Sequence, residues 1–249
     1  MRFTDVVKTF GRAQALRGVT FEVNSGEFFG LVGVNGAGKT TLLKCLLDFC
    51  NISGGSIDIF GTPHHVTAAR GRLAFLPERF NPPYYLTGED FIRYVLAMQS
   101  TRYDRAAAEH MLHAFDLGRS ALSLPVRAYS KGMTQKLGLA ACLLARKDLY
   151  ILDEPASGLD PRAHALLKAR LDELKREGRT VFFTSHALAD VAALCDRVAV
   201  IHDGSLRFAG TPGELCTRFT AANLEDAFLR CIDAEVEPAR AGARTAISR

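Results

Sequence analysis

The stretch Phe28-Phe29-Gly30-Leu31-Val32-Gly33-Val34-Asn35-Gly36-Ala37-Gly38-Lys39-Thr40-Thr41 joins an apolar run to a glycine-rich loop. Leucines at helical spacing continue from Lys39 to Phe49, so the loop lies between a predicted buried strand and a predicted helix. In this setting the spacing GxxxxGK[ST] is typical of a loop whose backbone N–H groups cradle phosphates. We therefore predict that Gly33 to Thr41 binds the phosphates of a nucleotide, with Lys39 reaching the β- and γ-phosphates and Thr40 coordinating Mg²⁺.

A second apolar run ends in two carboxylates, Leu149-Tyr150-Ile151-Leu152-Asp153-Glu154. A carboxylate at the end of a buried strand is suited to hold the Mg²⁺ of a nucleotide, and we assign that role to Asp153. Glu154, one residue later, is then the candidate that orients and deprotonates an attacking water. By itself, an Asp-Glu pair at a strand end is more typical of a helix N-cap or a solvated turn.

Strands and helices alternate through most of the chain. Apolar runs before Gly33 predict a small antiparallel β layer, and helical periodicity from Glu89 to about Ala145 predicts a helical insertion. Parallel-strand character then returns in three runs that predicted helices separate, Leu149–Leu152, Thr180–Thr184 and Val198–Ile201. The expected fold class is α/β, a doubly wound phosphate-loop core with an N-terminal antiparallel β layer and an inserted helical subdomain.

The length of 249 residues suits one large domain rather than several enzymatic modules. We expect a single domain over residues 1–233, with the helical insertion at about 79–148, and a flexible C-terminal tail over 234–249. The arginines of that tail suit a solvated chain end, although contact with a membrane surface or RNA is an alternative.

Composition is typical of a globular protein, with 48% hydrophobic and 23% charged residues. The net charge of +4 does not indicate a polyanionic partner, and we predict no nucleic-acid binding. Six cysteines without a CxxC pair predict reduced thiols rather than metal ligands. The N-terminus does not resemble a signal peptide, and no apolar run approaches the ~20 residues that span a bilayer, so we expect a cytoplasmic chain.

Features between and after the two motifs resemble the ABC ATPase family in the family's own order, over roughly residues 3 to 232. Tyr129-Ser130-Lys131-Gly132-Met133 resembles the family signature LSGGQ, although only Ser130 and Gly132 keep the commonest residue types. Pro155-Ala156-Ser157-Gly158-Leu159-Asp160 is similar to the D-loop, and Thr184-Ser185-His186 to the strand end that carries the switch histidine. The resemblance implies a P-loop NTPase core of ABC type, in which Gly33–Thr41 is the Walker A element and Asp153-Glu154 ends the Walker B strand.

The resemblance also implies roles for single residues. Ser130 and Gly132 would bind the γ-phosphate of ATP held by the opposite subunit, and Asp160 would help to couple the two nucleotide sites. His186 would contact the γ-phosphate and steady the water, which gives Lys39, Glu154 and His186 as the catalytic set. Phe10 would stack on the adenine. Two alternatives stay open, namely that Ser130 is only a helix N-cap and that Phe10 is a core residue of the β layer.

One residue departs from the family pattern. Leu73-Ala74-Phe75-Leu76-Pro77-Glu78 ends in Glu78, where the family's Q-loop normally has Gln. A carboxylate oxygen can ligate Mg²⁺ as the amide oxygen does, so we assign the metal to Thr40, Glu78 and Asp153. A carboxylate cannot donate a hydrogen bond to water, however, and it adds negative charge beside Asp153.

The function implied by the resemblance is an ATP-binding and ATP-hydrolysing subunit that drives export. Tyr129–Met133, Thr211–Leu215 and Leu224–Leu229 resemble the subfamily that serves ABC-2-type exporters. Its ATPase subunits dimerise on ATP binding and act at the cytoplasmic face of the membrane through separate permease subunits. The stiff aromatic segment 79–88 is where the family receives the permease's coupling helix; a packed loop that closes the helical insertion is the alternative. The transported substrate is contacted by the permease, so this sequence does not name it.

Three other functions were weighed against transport. A ribosome-acting ABC ATPase would carry two such domains in tandem, and a DNA-repair ATPase would carry a long coiled coil between the Walker elements. This chain has one phosphate loop, and residues 79–148 show no sustained heptads. A binding module without catalysis is the third alternative, and the presence of Lys39, Asp153, Glu154 and His186 argues against it.

Overall fold

The computed structural model describes residues 1–234. The predicted tail over 234–249 therefore lies, apart from its first residue, outside the described residues and stays a prediction. In chain order the elements are β1 (Arg2–Phe10), β2 (Ala13–Glu22), β3 (Phe28–Val32), α1 (Lys39–Leu46), β4 (Gly54–Ile59), β5 (Thr62–Pro63), α2 (Thr67–Arg70), β6 (Leu73–Leu76), α3 (Gly88–Met98), α4 (Arg105–Ala114), α5 (Lys131–Leu144), β7 (Leu149–Asp153), α6 (Pro161–Arg176), β8 (Thr180–Thr184), α7 (Leu188–Leu194), β9 (Arg197–His202), β10 (Ser205–Gly210), α8 (Pro212–Arg218) and α9 (Leu224–Asp233).

A six-stranded sheet forms the centre of the fold, in the order β10-β9-β3-β8-β7-β6. All neighbouring pairs are parallel except β9 with β10, which form a hairpin that turns at Asp203-Gly204. Every residue of β3, β7 and β8 is buried, as expected for parallel strands that are covered on both faces. The predicted doubly wound α/β core is confirmed.

Alternate residues of the central strands contribute to two different cores. Phe29 and Leu31 face the antiparallel sheet β2-β1-β4-β5 and helix α1, together with Leu149 and Ile151 of β7. Phe28 and Val32, with Tyr150 of β7, face the helices α3 to α7 and α9. This division follows from the period of two along a strand, and it yields the predicted β layer on one side of the sheet and the helical insertion on the other.

Helix α1 is shorter than the sequence predicts, since it ends at Leu46 rather than Phe49. Asp48 adopts a left-handed backbone with φ of 62°, and the N–H groups of Phe49 and Cys50 turn back to the carbonyl of Lys44. Because these two N–H groups occupy the carbonyl of Lys44, the helical hydrogen-bond pattern does not continue beyond this turn.

No helix among residues 1–234 combines the length and the apolar character needed to cross a membrane. The six cysteines are free, and four of them are buried, as predicted for structural thiols.

Candidate functional site

Four adjacent parallel strands bring the predicted motifs to one edge of the sheet. The glycine-rich loop follows β3, Ser185-His186 follows β8, Glu154 follows β7 and Pro77-Glu78 follows β6. Because the carboxyl ends of parallel strands share an edge, these four segments converge there although they lie far apart in sequence.

The four segments enclose a cavity of about 430 Å³. Its walls consist of the phosphate loop, one residue of β2 and residues from the other three strand ends: Ala15, Val34, Asn35, Gly36, Ala37, Gly38, Lys39, Thr40, Thr41, Glu78, Asp153, Glu154, Ser157 and His186. The structure thus brings most of the predicted site residues together.

Two glycines of the phosphate loop, Gly33 and Gly38, lie so close to neighbouring strands that a side chain would not fit. A Cβ at Gly33 would lie 2.4 Å from the carbonyl oxygen of Ile201, so any side chain there would collide with β9. Gly38 has φ of 110° and precedes the first residue of α1, where a Cβ would lie 3.0 Å from the carbonyl oxygen of Ala15. The loop is therefore held between β2 and β9, and it delivers the free N–H groups at the start of α1 to the cavity.

Lys39 folds over the loop that precedes it. Its Nζ donates to the carbonyl oxygens of Gly33, at 2.5 Å, and Val34, at 3.2 Å. Partial burial lowers the pKa of Lys39, whereas the nearby carboxylates of Glu154, Asp153 and Glu78 raise it. The ammonium is the only cation of Lys or Arg type among the described residues that line the cavity, so it is placed to neutralise phosphate charge.

One hydroxyl at the end of β8 holds both the Asp153 carboxylate and the backbone of Glu154. Thr184, fully buried at the end of β8, donates through Oγ1 to Oδ1 of Asp153 at 2.6 Å. The same oxygen accepts from the backbone N–H of Glu154 at 2.9 Å. Burial, Glu78 and Glu154 raise the pKa of Asp153, and the bond from Thr184 opposes that rise. A cation in the cavity would lower the cost of keeping Asp153 ionised.

Glu154 and His186 form a direct pair across the neighbouring strand ends. Nδ1 of His186 lies 2.7 Å from Oε2 of Glu154, and the backbone N–H of His186 is 3.4 Å from the same oxygen. The Glu154 side chain is 13% exposed, whereas that of His186 is 73% exposed. Glu154 also has φ of 49°, a left-handed backbone that is strained for a residue with a side chain. The carboxylate is held at the cavity wall while the imidazole remains accessible.

The oxygen donors of the cavity fit Mg²⁺. Thr40, Glu78 and Asp153 supply a hydroxyl and two carboxylates, all hard ligands of the kind that Mg²⁺ prefers. Residues 1–234 contain no group of three His, Cys, Asp or Glu side chains arranged to hold a metal by themselves. Such an incomplete donor set is usual for Mg²⁺, which enters with substrate phosphates as further ligands.

Besides Gly33 of the phosphate loop, four predicted residues lie outside the cavity wall. Ser130 is the N-cap of α5, where its Oγ accepts from the N–H of Met133 at 3.2 Å, and its role toward the ATP of a second subunit stays a prediction. Gly132 faces the D-loop, since a Cβ there would lie 3.6 Å from the carbonyl oxygen of Gly158. Asp160 caps α6 by accepting from Ala163 at 2.8 Å, which lowers its pKa.

Phe10 is the fourth of these residues. Its ring is 51% exposed at the end of β1, with Nζ of Lys8 at 4.6 Å from the ring centroid. The alternative that Phe10 is a core residue of the β layer is therefore wrong. An exposed face is what base stacking needs, and the adenine role stays a prediction.

Three residues of the site were not predicted from the sequence. Ala15 and Ser157 line the cavity, and Thr184 bridges the Asp153 carboxylate and the Glu154 backbone N–H. Ala15 carries no sequence signal because it reaches the cavity only through the packing of β2. Thr184 precedes Ser185-His186 on β8, and its role depends on the register Asp153 to Thr184 between β7 and β8.

Comparison with known proteins agrees with this arrangement. The family model for the ABC transporter matches residues 16–157, which is more than half of the chain. The chain belongs to the ABC transporter family. An uncharacterized ABC transporter ATP-binding protein of Synechocystis sp. is 37% identical over 82% of this chain and 58% of its own length. Nod factor export ATP-binding protein I of Burkholderia orbicola is 36% identical over 86% of this chain and 71% of its own length.

Solved structures agree with the ABC transporter fold. The structure of an ATP binding subunit of an ABC transporter superposes with a TM-score of 0.85 at 31% identity, over 92% of this chain and 98% of that one. The ATP-binding cassette MJ0796, solved as a dimer in a post-hydrolysis state with ADP and Pi, has a TM-score of 0.77 at 20% identity, over 84% and 97% of the chains. The second likeness concerns the fold alone. The chain spans about three fifths of the length of the first two curated relatives, 58% and 61%.

Proposed function

We propose that this ABC transporter subunit binds Mg·ATP in the cavity at the sheet edge and hydrolyses it to drive export through separate membrane-spanning subunits. The observation that carries the proposal is Glu154, whose backbone N–H bonds Thr184 and whose carboxylate pairs with His186. It lies at the wall of the cavity that also contains Lys39 and Asp153. A cavity with a phosphate cradle, a cation and an oriented base contains the groups that phosphoryl transfer to water requires.

Each residue has a distinct part in the reaction. The N–H groups of the loop bind the phosphate oxygens, and Lys39 neutralises the charge that moves onto them in the transition state. Glu154 accepts a proton from the attacking water, and His186 holds the Glu154 carboxylate through the 2.7 Å contact. Mg²⁺, held by Thr40, Asp153 and Glu78, supplies further neutralisation of the phosphate charge when bound.

The second half of each site comes from another copy of the chain. Ser130 and Gly132 begin the 14-residue helix α5, whose N-terminus is suited to bind an anion but lies outside the cavity of its own chain. We propose that this segment binds the γ-phosphate of ATP held by a second subunit, so that two chains enclose two nucleotides. The dimeric state of the ATP-binding cassette MJ0796 supports the proposal by fold.

The same proposal includes three further points. The transport process is export, the partner is a membrane-spanning permease, and the subunit works at the cytoplasmic face of the membrane. The relatives named Nod factor export ATP-binding protein support export. Exposed aromatic residues on the segment that follows Glu78, Tyr84 at 68% and Tyr85 at 69%, support a docking surface for a permease helix.

The test is steady-state ATP hydrolysis by the purified chain and its Glu154→Gln variant. Loss of the proton acceptor should slow hydrolysis by about three orders of magnitude, while the affinity for Mg·ATP stays within a factor of about three. Equilibrium binding of a fluorescent ATP analogue checks the affinity, and Glu225→Gln, at an exposed position of α9, is the matched control. Normal hydrolysis by Glu154→Gln would remove Glu154 from the proposed role.

A further inference from the structure

Two charged residues depart from the family pattern in segments that the proposed function places on opposite halves of one ATP site. Glu78 stands where the family's Q-loop has Gln, and Lys131 stands in the signature segment where its usual form has Gly. One departure adds a negative charge and the other a positive charge. Both side chains are exposed.

Glu78 is an unbalanced negative charge within its own chain. It lines the cavity beside Asp153 and Glu154, and its charge raises the pKa of both Asp153 and Lys39. Among residues 1–234 its carboxylate makes no hydrogen bond or ion pair. Compared with the Gln of the common site, Glu78 adds one negative charge near the ATP phosphates while the charge of Mg²⁺ stays the same, so this site gains from an additional positive charge.

Lys131 is an unbalanced positive charge on the opposite half. It is the first residue of α5, directly after Ser130. Its side chain extends along the D-loop, since a Cβ at Gly158 would lie 3.1 Å from Cε and 3.6 Å from Nζ of Lys131. The described part of the chain offers this ammonium no carboxylate within ion-pair distance. If Ser130 binds the ATP of a second subunit, the Lys131 ammonium beside it lies on the surface that faces that subunit.

We propose that Lys131 of one subunit neutralises Glu78 of the other in the ATP-bound dimer, and that this intersubunit charge pair replaces the Gln and Gly of the common family site. The proposal rests on the proposed function, because it requires the signature segment of one chain to close over the ATP of the other. It makes Lys131 a residue that positions and stabilises the closed site, and Glu78 its partner.

The test is a double-mutant cycle on the KM for ATP, with the wild-type chain, Glu78→Gln, Lys131→Gln and the double variant. Both side chains are exposed, so all four proteins should fold alike. Lys131→Gln should raise the KM about tenfold when Glu78 is present and less than about threefold when Gln replaces it. Equal effects in the two backgrounds would overturn the proposal.

Mixed dimers decide whether the pair forms between chains. When Glu78→Gln and Lys131→Gln chains are mixed in equal amounts, each mixed dimer has one site with both charges and one site with neither. The rate at low ATP should then exceed the mean of the two variants measured separately, whereas a rate equal to the mean would overturn an intersubunit pair.

Arg79 is the control, since it is an exposed cation next to Glu78 in the same chain. Arg79→Gln should raise the KM by less than about twofold in both backgrounds. Coupling of Glu78 to Arg79 rather than to Lys131 would overturn the proposal. If the wild-type chain does not hydrolyse ATP, the proposed function fails together with the charge pair. If it hydrolyses ATP but Glu78 and Lys131 are not coupled, only the charge pair fails.

Discussion

Thr184 holds the Asp153 carboxylate and the Glu154 backbone through one hydroxyl group. It donates to Asp153 and accepts from the N–H of Glu154, while the left-handed backbone of Glu154 turns that side chain toward His186. Without the hydroxyl, a buried N–H loses its acceptor and Asp153 loses a donor that favours its ionised form. Thr184 is therefore expected to matter for catalysis although it lies outside the cavity wall.

Thr184→Val keeps the shape of the side chain and removes the hydroxyl. We expect the free energy of unfolding to fall by about 1–3 kcal/mol, because the Glu154 N–H is left unpaired, and the rate of hydrolysis to fall about tenfold or more. Urea denaturation and steady-state ATPase rates measure the two effects. Thr184→Ser, which retains the hydroxyl, should stay close to wild type; equal losses in both variants would show that packing rather than hydrogen bonding is responsible.

Two aspartates have pKa shifts of opposite sign, and they predict opposite effects on stability. Burial raises the pKa of Asp153, so its ionised form destabilises the nucleotide-free protein once the pH exceeds the unfolded value of about 4. Asp153→Asn should then raise the melting temperature at pH 7, and this gain should shrink as the pH falls toward 4.

Asp160→Asn is the matched control. The bond from Ala163 lowers the pKa of Asp160, so its ionised form stabilises the fold above the unfolded pKa, and that contribution is lost as the pH falls through the folded pKa. Asn still caps α6 but lacks the charge, so this variant should melt lower than wild type at pH 7. Shifts of the same sign in thermal melts of the two variants would contradict the assignment.

Helix α5 connects the signature segment to the Glu78 segment. A Cβ at Gly138 would lie 2.8 Å from two ring atoms of Phe80, two residues after Glu78. The Nε2 of Gln135 donates to the carbonyl oxygen of Pro155 at 3.2 Å, next to Glu154. The same helix therefore touches the segments that bear two of the three cavity carboxylates.

Gly138→Ala has two opposing effects on the free energy of unfolding, a gain from helix propensity and a loss from overpacking against Phe80. Alanine favours a helix by up to about 1 kcal/mol, whereas a collision with Phe80 costs about 1–3 kcal/mol. We expect a net loss of about 1 kcal/mol and reduced ATP hydrolysis, because Phe80 must move and Glu78 moves with it. The measurements are urea denaturation and ATPase rates, and Phe80→Leu in the same chain should restore part of both.

Gly213→Ala in α8 provides the contrast. There a Cβ would approach no heavy atom closer than 4.0 Å, so helix propensity alone should stabilise the protein. A stability gain in Gly138→Ala as large as that in Gly213→Ala would contradict close packing between α5 and Phe80.

At the scale of elements, the sequence predicts what local patterns determine. The unbroken apolar run Thr180–Thr184 predicted the bounds of β8 as the structure has them. The end of α1 was predicted three residues too late, because the left-handed turn at Asp48 has no glycine to mark it. Ala15 and Thr184 were missed because their roles depend on strand order and register, which periodicity does not encode.

At the scale of the whole molecule, the cavity of one chain contains only part of the expected site. Ser130 and Gly132, at the N-terminus of α5, lie outside the wall that contains Lys39, Asp153 and Glu154. The sequence motifs predict both the phosphate loop and the Ser130 segment, but they do not predict that the two lie apart in one chain. The separation follows from the fold, and it is the reason to propose a dimer that closes over two ATP molecules.

The most direct measurement is the mass of the Glu154→Gln chain in solution, by light scattering during size exclusion, with and without Mg·ATP. The structure predicts a mass that doubles when Mg·ATP is present and returns to that of one chain when the nucleotide is removed. Adding Ser130→Arg to the same chain should abolish the dimer while ATP still binds. A monomer at saturating Mg·ATP, or a dimer that Ser130→Arg leaves intact, would contradict the composite site.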